Sequence, residues 1–451
     1  MHDLTTNDYK STFRPDIQAL RALAVVLVLM FHASIPGFHA GFLGVDVFFV
    51  ISGFVITGVL LQERAGSGGT SILDFYARRI RRILPAASVV IVLTIFATYH
   101  WLAFVTGASV AGDAKWVTAF MGNFHFATVG TQYFGASNPP STLTQFWSLG
   151  VEEQFYVVWP VMFLVLARSF SAIRARNLSV NGAWALFAVA LTKIVMSDHN
   201  ANYPQWSKQA INALLLASIL LLAVGLLSRI PNVRIRLVSA LSILMGASLI
   251  FNFIQTKNNP VWAFYSPLTR AWELGLGALL AVLTPYLVDK APKLGTWFGI
   301  VGCAVIGACT WFYSSQTAAT EWPGWRAILP VAATGLVIAG GSLRQSTGFG
   351  VITKFPVIQW VGAISFSLYL VHYPIIQIAT QYSFTPLSGM AHFEQILLSF
   401  ALAAVSYYLL EQPVRKSKFF KNHRWATYVL GAALIAATYG AIFWHLHNSG
   451  A

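Results

Sequence analysis

The chain has 451 residues, of which 56% are hydrophobic and only 10% are charged, and its formal net charge is +14. Soluble globular domains carry about 25% charged residues, so this composition excludes that class. Apolar runs of about 18–22 residues recur, the length of a membrane-spanning helix, whereas a membrane barrel would show short alternating segments. The basic residues stand in short loops between these runs, so we expect membrane lipids as partners and no nucleic acid. We therefore predict an all-α polytopic membrane protein.

The apolar runs predict a bundle of about 11–13 transmembrane helices. The predicted spans are 17–36, 41–61, 83–104, 147–167, 209–227, 236–254, 269–288, 295–314, 325–342, 358–379, 394–412 and 425–445, with 183–197 as a weaker candidate. The basic loops then fall on one side of the membrane, provided that 183–197 crosses it. This pattern predicts a cytoplasmic N-terminus and a C-terminus on the opposite side.

The long segment 105–146 lies outside on this map. It is too polar to span the membrane throughout and is rich in aromatic residues, glycine and asparagine. Loops of this length are commonly functional. Two interpretations stay open: a lid or acceptor-binding loop, or an ordinary connector.

The first span carries two ionisable residues, Arg21 and His32, and such residues are costly inside a bilayer. Eleven helical positions place His32 about 16 Å from Arg21, deep in the membrane. A neutral imidazole accepts a hydroxyl proton, so His32 is a candidate general base, with a packing role as the alternative. Asp46 opens the next span, and a reversal at Pro36-Gly37 would bring it near His32. We predict that Asp46 orients His32; a helix N-cap role is compatible with this.

Four arginines precede the third span, at Arg78, Arg79, Arg81 and Arg82. Positive-inside anchoring is the simple interpretation of such a cluster. Four guanidinium groups in five residues repel one another unless a polyanion is present. They therefore also predict a site for a phosphate-bearing ligand or a lipid headgroup, since guanidinium matches phosphate geometry.

The fourth span opens with Ser148, Glu152 and Glu153, of which Ser148 and Glu152 are i,i+4 neighbours on one helical face. Two adjacent carboxylates at a membrane boundary need partners. They are candidates for binding acceptor hydroxyls, and the alternative is pairing with an arginine elsewhere in the chain.

Two later spans carry further polar residues. Arg270 and Glu273 are an i,i+3 pair that can neutralise itself inside the bilayer. Ser365, Tyr369 and His372 share one helix face. Interhelical hydrogen bonding is the plain interpretation of that face, and a place in the site is the functional one.

Together these motifs resemble the acyltransferase 3 family of membrane O-acyltransferases, in the branch that O-acetylates lipopolysaccharide O-antigen and related polysaccharides. The segments that carry the resemblance are 14–26, His32, 41–53, 75–85, 147–156, 269–277, 364–374 and 411–415. They run in family order, so we assign residues 14–415 to an acyltransferase 3 transmembrane domain. Residues 425–445 form an additional C-terminal span.

The resemblance implies acetyl-CoA as a cytoplasmic donor substrate, with no permanently bound cofactor and no metal. It also implies a multi-pass enzyme of a bacterial inner membrane, with a lipid-linked or surface glycan hydroxyl as periplasmic acceptor. The expected donor-binding residues are Arg14, Arg21, Arg78, Arg79, Arg81 and Arg82, with the essential Arg-x-x-Arg pair being either Arg78 with Arg81 or Arg79 with Arg82. The residues expected at or behind the acceptor are Ser148, Glu152, Glu153, Arg270, Glu273, Tyr369 and His372.

The sequence departs from the family pattern in three places. Gln145 stands where many relatives have a histidine, and a stretch near 177–235 adds a hairpin to the usual ten spans. The span 425–445 leads the C-terminus to the periplasm, where fused relatives carry an esterase-like SGNH domain. An SGNH-type domain or protein is therefore an expected partner.

We hypothesise that His32, oriented by Asp46, deprotonates a sugar hydroxyl that attacks the thioester carbonyl of acetyl-CoA. A proton-coupled transporter of an anionic substrate is the rival, with His32, Asp46, Glu152 and Glu273 as a proton relay. No inverted repeat is visible to support that rival. A lipid-binding scaffold for glycan assembly would explain the basic loops but not a buried His32 with Asp46.

Overall fold

The computed structural model describes residues 13–67, 71–131, 133, 139–167, 181–184, 186–189, 214, 218, 227, 230–290, 294–343, 349–383 and 389–448. All regular secondary structure in these residues is helical. The helices are α1 Pro15–His32, α2 Gly44–Ser67, α3 Ile72–Trp101, α4 Phe104–Thr118, α5 Gly122–Thr128, α6 Phe146–Ala167, α7 Val233–Asn258, α8 Pro260–Tyr265, α9 Pro267–Lys290, α10 Gly295–Phe312, α11 Ser315–Glu321, α12 Ile328–Leu343, α13 Phe349–Thr353, α14 Pro356–Ser383, α15 Gly389–Ser406, α16 Gln412–Lys416, α17 Lys418–Asn422 and α18 Arg424–Asn448.

The prediction of an all-α polytopic membrane protein is confirmed. Within the described ranges, nine helical stretches are long and apolar enough to cross a membrane. Most residues of the predicted spans 183–197 and 209–227 lie outside the described ones. The hairpin and the total of about 11–13 helices therefore stay predictions.

Helix α1 begins with Pro15 and carries Asp16 in its first turn, both favourable at a helix N-terminus. It ends at His32, four residues before the end of the predicted span, because Ser34 and Gly37 have positive φ and reverse the chain. A short 3-10 turn at Gly41–Leu43 then leads into α2. The predicted reversal is present, and it leaves His32 in the last turn of its helix.

Helices α2 and α9 pack closely through glycines. A Cβ atom added at Gly53 would collide with the carbonyl oxygen of Leu274, and one at Gly277 would collide with that of Val50. Because glycine lacks a Cβ, the two backbones come into direct contact, as small residues allow in membrane bundles. This contact places the polar residues of α9 against those of α2.

The segment predicted as a lid, binding loop or connector is folded. It contains α4 and α5, and α4 packs on α3 and α18 while α5 packs on α6 and α8. After α5 the chain reaches Tyr133, whose hydroxyl contacts the end of α1. The segment therefore contributes a side chain to the centre of the bundle.

Candidate functional site

The centre of the site is a pair of histidines from α1 and α14. The Nδ1 atom of His32 lies 2.9 Å from Nε2 of His372, and the two rings stack with centroids 5.1 Å apart. On its other side, Nε2 of His32 lies 2.7 Å from the hydroxyl of Tyr133. Both ring nitrogens of His32 are therefore engaged by residues distant in sequence.

A backbone carbonyl determines the protonation pattern of this group. Nδ1 of His372 lies 3.0 Å from the carbonyl oxygen of Leu368, which can only accept, so Nδ1 carries the proton. In the neutral ring, Nε2 of His372 then accepts from Nδ1 of His32, which leaves Nε2 of His32 with a free lone pair. Burial raises the pKa of Tyr133 well above its ordinary value, so its phenol keeps its proton and donates to that lone pair.

The predicted pairing of Asp46 with His32 is wrong. Nη1 of Arg270 donates to Asp46 at 2.7 Å and to Glu273 at 2.8 Å, and all three side chains are at most 1% exposed. A buried carboxylate needs a cation, and the close packing of α2 on α9 provides Arg270. The hydrogen-bond partner of Nδ1 of His32 is His372, and Asp46 stands in the first turn of α2.

The pairing of Arg270 with Glu273 that the spacing predicts is present. Nε of Arg270 also donates to the carbonyl of Phe264 at 3.3 Å, and its guanidinium lies 5.6 Å from the ring centroid of Trp147. This buried cluster thus connects α2 and α9 to the aromatic residues beside Tyr133.

A cavity of about 460 Å³ lies near the histidine pair, with Tyr369 in its lining. Its walls come from α1, α2, α3, α6, α9 and α14. Its polar and charged lining residues are Arg14, Gln18, Arg21, Ser52, Gln62, Arg79, Arg82, Ser148, Glu152, Tyr156, Thr284, Ser365 and Tyr369. The ring of Tyr156 lies 4.4 Å from the guanidinium of Arg79, at the arginine end of the cavity. Ser148 lies eight residues earlier on the same helix, which is a distance of about 12 Å. The cavity therefore runs from the arginines to Ser148 and Tyr369.

The structure separates the four clustered arginines into two pairs. Arg79 and Arg82 line the cavity. Arg78 instead forms an ion pair with Glu63, and Arg81 donates to the carbonyl of Phe420 at 3.0 Å and to Thr427 at 3.1 Å. The expectation that Arg78 and Arg81 bind the donor is therefore not supported by their positions, because their guanidinium groups are occupied by protein partners.

The two arginines of the first span also line the cavity, but they differ in their partners. Arg14 donates to Asp16 at 2.6 and 2.8 Å and to Ser342 at 3.0 Å, so its guanidinium is largely satisfied. In contrast, Arg21 forms no hydrogen bond or ion pair with any residue that the structure describes. The same holds for Arg79 and Arg82, so three cationic groups line the cavity without forming an ion pair with any residue that the structure describes.

At the end of the cavity away from the arginines lies a hydrogen-bonded pair of lining residues. The hydroxyls of Ser148 and Tyr369 lie 2.6 Å apart, which is the interhelical bonding expected for the face of α14. The ring centroid of Tyr369 is 5.6 Å from that of His372. Tyr369 therefore stands between the cavity and the histidine pair.

The two acidic residues of α6 have different positions. Glu152 lines the cavity and accepts hydrogen bonds from Ser52 at 2.9 Å and from Tyr156 at 3.2 Å, rather than from an arginine. Glu153 is not among the lining residues. Gln145, one of the positions where the sequence departs from the expected family pattern, is fully buried and donates to the carbonyl of Leu370 at 3.2 Å.

Sequence reasoning missed Tyr133, Ser52 and Gln62. The only signal for Tyr133 was its position in the long aromatic segment, and Ser52 lies among the apolar residues of its span. Among the described residues, no group of three or more histidine, cysteine, aspartate or glutamate side chains is arranged to hold a metal ion.

The fold and this site define a polytopic membrane protein in which an arginine-lined cavity leads to a buried histidine pair. The acyltransferase 3 family, whose model is described as an acyltransferase domain, matches residues 14–192 and 175–411. The chain belongs to this family.

The chain is similar to curated proteins over most of its length. These include the peptidoglycan O-acetyltransferase OatA of Listeria monocytogenes, 26% identical over 421 residues, which are 92% of this chain and 58% of the relative. The O-acetyltransferase OatA of Staphylococcus aureus is 25% identical over 417 residues, 91% and 58% of the two chains. For YrhL of Bacillus subtilis the identity is 26% over 416 residues, 90% and 55%. The chain thus spans less than two thirds of each relative, and no solved structure matches it.

Proposed function

We propose that the chain transfers an acetyl group from acetyl-CoA across the inner membrane to a hydroxyl of a cell-wall glycan. The observation that carries this proposal is the cavity that joins Arg21, Arg79 and Arg82, none of which forms an ion pair with a described residue, to the residues beside His32. The names of the relatives favour a peptidoglycan acceptor over the lipopolysaccharide O-antigen expected from the resemblance.

The donor enters the cavity from the arginine end. Arg21, Arg79 and Arg82 hold the phosphates of CoA, because guanidinium groups form charge-assisted hydrogen bonds with phosphate oxygens. The pantetheine arm lies along the apolar residues that share the cavity, such as Phe48 and Ile51. The acetyl thioester then reaches Ser148 and Tyr369, next to the histidine pair. The positive-inside pattern of the loops supports a cytoplasmic location for the arginine end.

His32 acts on the acceptor hydroxyl. That hydroxyl takes the position of the Tyr133 hydroxyl on Nε2 of His32 and gives its proton to the lone pair there. The alkoxide oxygen forms a bond to the thioester carbonyl carbon and the carbon–sulfur bond breaks. The CoA thiolate takes the proton from His32, which returns to its neutral form. His372 accepts the hydrogen bond from Nδ1 of His32 throughout and so holds the ring in one tautomer and orientation, as an orienting residue does in a catalytic triad. Transfer through an acyl-His32 intermediate would use the same nitrogen.

The direct test is thiol release from acetyl-CoA by purified protein in proteoliposomes with a cell-wall glycan acceptor. We expect release by the wild type and by His447→Ala, whose exposed side chain lies in the last turn of α18, and no release by His32→Ala. Equal release by His32→Ala would remove His32 from the mechanism. If the wild type releases no thiol and a titration shows no binding of CoA, the proposal is wrong and a transporter becomes the better hypothesis.

Two further expectations stay predictions. One is the placement of the C-terminus in the periplasm, and the other is an SGNH-type domain or protein as partner. Cysteine labelling at the end of α18 in intact cells tests the first of these. Periplasmic placement predicts reaction with a membrane-impermeant thiol reagent.

A further inference from the structure

Helices α2 and α6 run parallel along the cavity, so the residues of α2 can be ordered against the arginine end. Ser52 donates to Glu152 at 2.9 Å, and further along both helices Nε1 of Trp159 donates to Thr57 at 2.9 Å. Tyr156, which lies at the arginine end, comes between Glu152 and Trp159. The arginine end is therefore level with the part of α2 between Ser52 and Thr57.

The cavity continues beyond that level. On α2, Gln62 lines it five residues after Thr57, about 8 Å further along the helix. On α1, which runs in the opposite direction, Phe13 lines it two residues before the helix begins. Arg21 lies six residues into that helix, about 9 Å from its first residue. We call the part of the cavity lined by Phe13, Gly58 and Gln62 the entrance region.

We propose that the entrance region holds the adenine base of the donor, a proposal that rests on the proposed function. The groups of acetyl-CoA follow one another in a fixed order: thioester, pantetheine arm, phosphates and adenosine. The cavity presents suitable residues in the same order. Tyr369 lies at the thioester end, the cavity-lining arginines follow, and the entrance region comes last.

Gln62 offers the base a hydrogen-bonding group that the protein does not use. Its half-buried carboxamide forms no hydrogen bond with any residue that the structure describes. A carboxamide has one donor and one acceptor side, and glutamine pairs with an edge of adenine through both. Thr284, which also lines the cavity, donates to the carbonyl of Leu280 at 2.9 Å and keeps its lone pairs for an amino group.

Phe13 and Gly58 offer a ring face and space. The side chain of Phe13 is 70% exposed, and nucleic acid bases stack on such aromatic rings. Gly58 lies one turn before Gln62 on the same helix face, and a Cβ atom added there would meet no atom within 4 Å. The cavity wall is therefore open beside Gln62. An aromatic residue at a membrane boundary can also be an interfacial anchor, so the test must separate these roles.

The test compares acetyl-CoA with acetyl-4′-phosphopantetheine, which lacks the adenine nucleotide. Calorimetry on purified full-length protein gives the Kd of acetyl-CoA, and displacement of acetyl-CoA gives that of the weaker ligand. We expect Phe13→Ala and Gln62→Ala each to raise the Kd for acetyl-CoA about 3- to 10-fold and to leave the Kd for acetyl-4′-phosphopantetheine unchanged. Loss of an interfacial anchor would not distinguish between the two ligands.

A third variant fills the open space. Gly58→Leu places a side chain beside Gln62, and leucine suits a helix better than glycine does, so the variant should fold. It should weaken acetyl-CoA binding selectively, whereas Gly112→Leu, at another helical glycine with open space, is the matched control.

Two further variants calibrate the comparison. Gln255→Ala removes a half-buried glutamine of α7 that does not line the cavity, and it should change neither Kd. Arg79→Ala should weaken binding of both ligands, because each carries a phosphate.

The outcomes separate the two proposals. Unchanged acetyl-CoA binding in the entrance variants, or an equal loss for both ligands, would overturn the adenine site and leave the proposed function standing. If the wild type bound neither ligand, both proposals would be wrong. A selective loss of acetyl-CoA binding in the variants, together with no acetyl transfer by the wild type, would support the adenine site and overturn the proposed function.

Discussion

Nδ1 of His32 and Nε2 of His372 lie 2.9 Å apart, although 340 residues separate them in the chain. The pair joins the last turn of α1 to the middle of α14, and the carbonyl of Leu368 fixes the direction of its hydrogen bonds. An imidazole in the place usually held by a carboxylate still orients the base, but it adds no negative charge to stabilise an imidazolium. Under the proposed function, His32 is therefore the neutral base that accepts the hydroxyl proton.

The first prediction concerns His372. Replacing it with alanine removes the acceptor for Nδ1 of His32 and frees the ring to rotate or change tautomer. We expect kcat to fall by roughly 100-fold or more, by analogy with loss of the orienting residue of a triad, while the Kd for CoA stays unchanged. Steady-state kinetics and a CoA titration measure the two quantities. A His372→Ala enzyme with wild-type kcat would show that the tautomer of His32 is set elsewhere.

The second prediction distinguishes the two arginine pairs. Arg79→Ala and Arg82→Ala each remove a cavity-lining guanidinium, and loss of a charge-assisted hydrogen bond is expected to raise the Kd for CoA about 10- to 100-fold. Arg78→Ala, whose guanidinium pairs with Glu63, serves as the matched control and should leave the Kd within about 2-fold of wild type, since a surface ion pair contributes little.

Salt gives an independent check on the arginine prediction. The Kd of the wild type for CoA should rise with ionic strength, and that dependence should weaken in Arg79→Ala and Arg82→Ala. If Arg78→Ala weakened binding as much as Arg79→Ala, the phosphates would have to bind outside the cavity.

The third prediction concerns the buried charge cluster. Arg270→Ala leaves the carboxyl groups of Asp46 and Glu273 without their cation in a site that is at most 1% exposed. Removing one partner of a buried ion pair costs about 3–5 kcal/mol, so the variant should show a lower Tm and poor yield of folded protein. Thermal unfolding in detergent measures this, with Arg326→Ala, which removes a partly exposed ion pair with Glu321, as control.

A second variant tests whether that cluster has only a structural role. Asp46→Asn keeps the shape of the side chain and one acceptor oxygen for Arg270, while Glu273 continues to balance the guanidinium. We expect it to remain folded and to retain His32-dependent activity, because Asp46 does not contact His32. A folded Asp46→Asn protein with no activity would argue that Asp46 takes part in proton transfer after all.

Local and periodic features were accessible from the sequence. Apolar runs of bilayer length predict helices whatever their neighbours, because every backbone polar group must be bonded within its own segment in lipid. The pairing of Arg270 with Glu273 was equally predictable, since i,i+3 side chains are adjacent on any helix. The ordered motifs across residues 14–415 were enough to identify the family, which the match to residues 14–192 and 175–411 confirms.

Tertiary structure alone decided how these parts meet. From the sequence, either of two arginine pairs with the same spacing could be the one that faces a ligand. The orientation of α3 in the bundle directs Arg79 and Arg82 to the cavity. It directs Arg78 and Arg81 to protein partners instead. Closeness in the chain suggested that Asp46 is the hydrogen-bond partner of His32. In the packed bundle, Asp46 instead forms an ion pair with Arg270, and His32 hydrogen-bonds to His372. The physical reason is that hydropathy and local spacing specify each helix and its faces, but the partners of a buried polar group depend on which helices pack together.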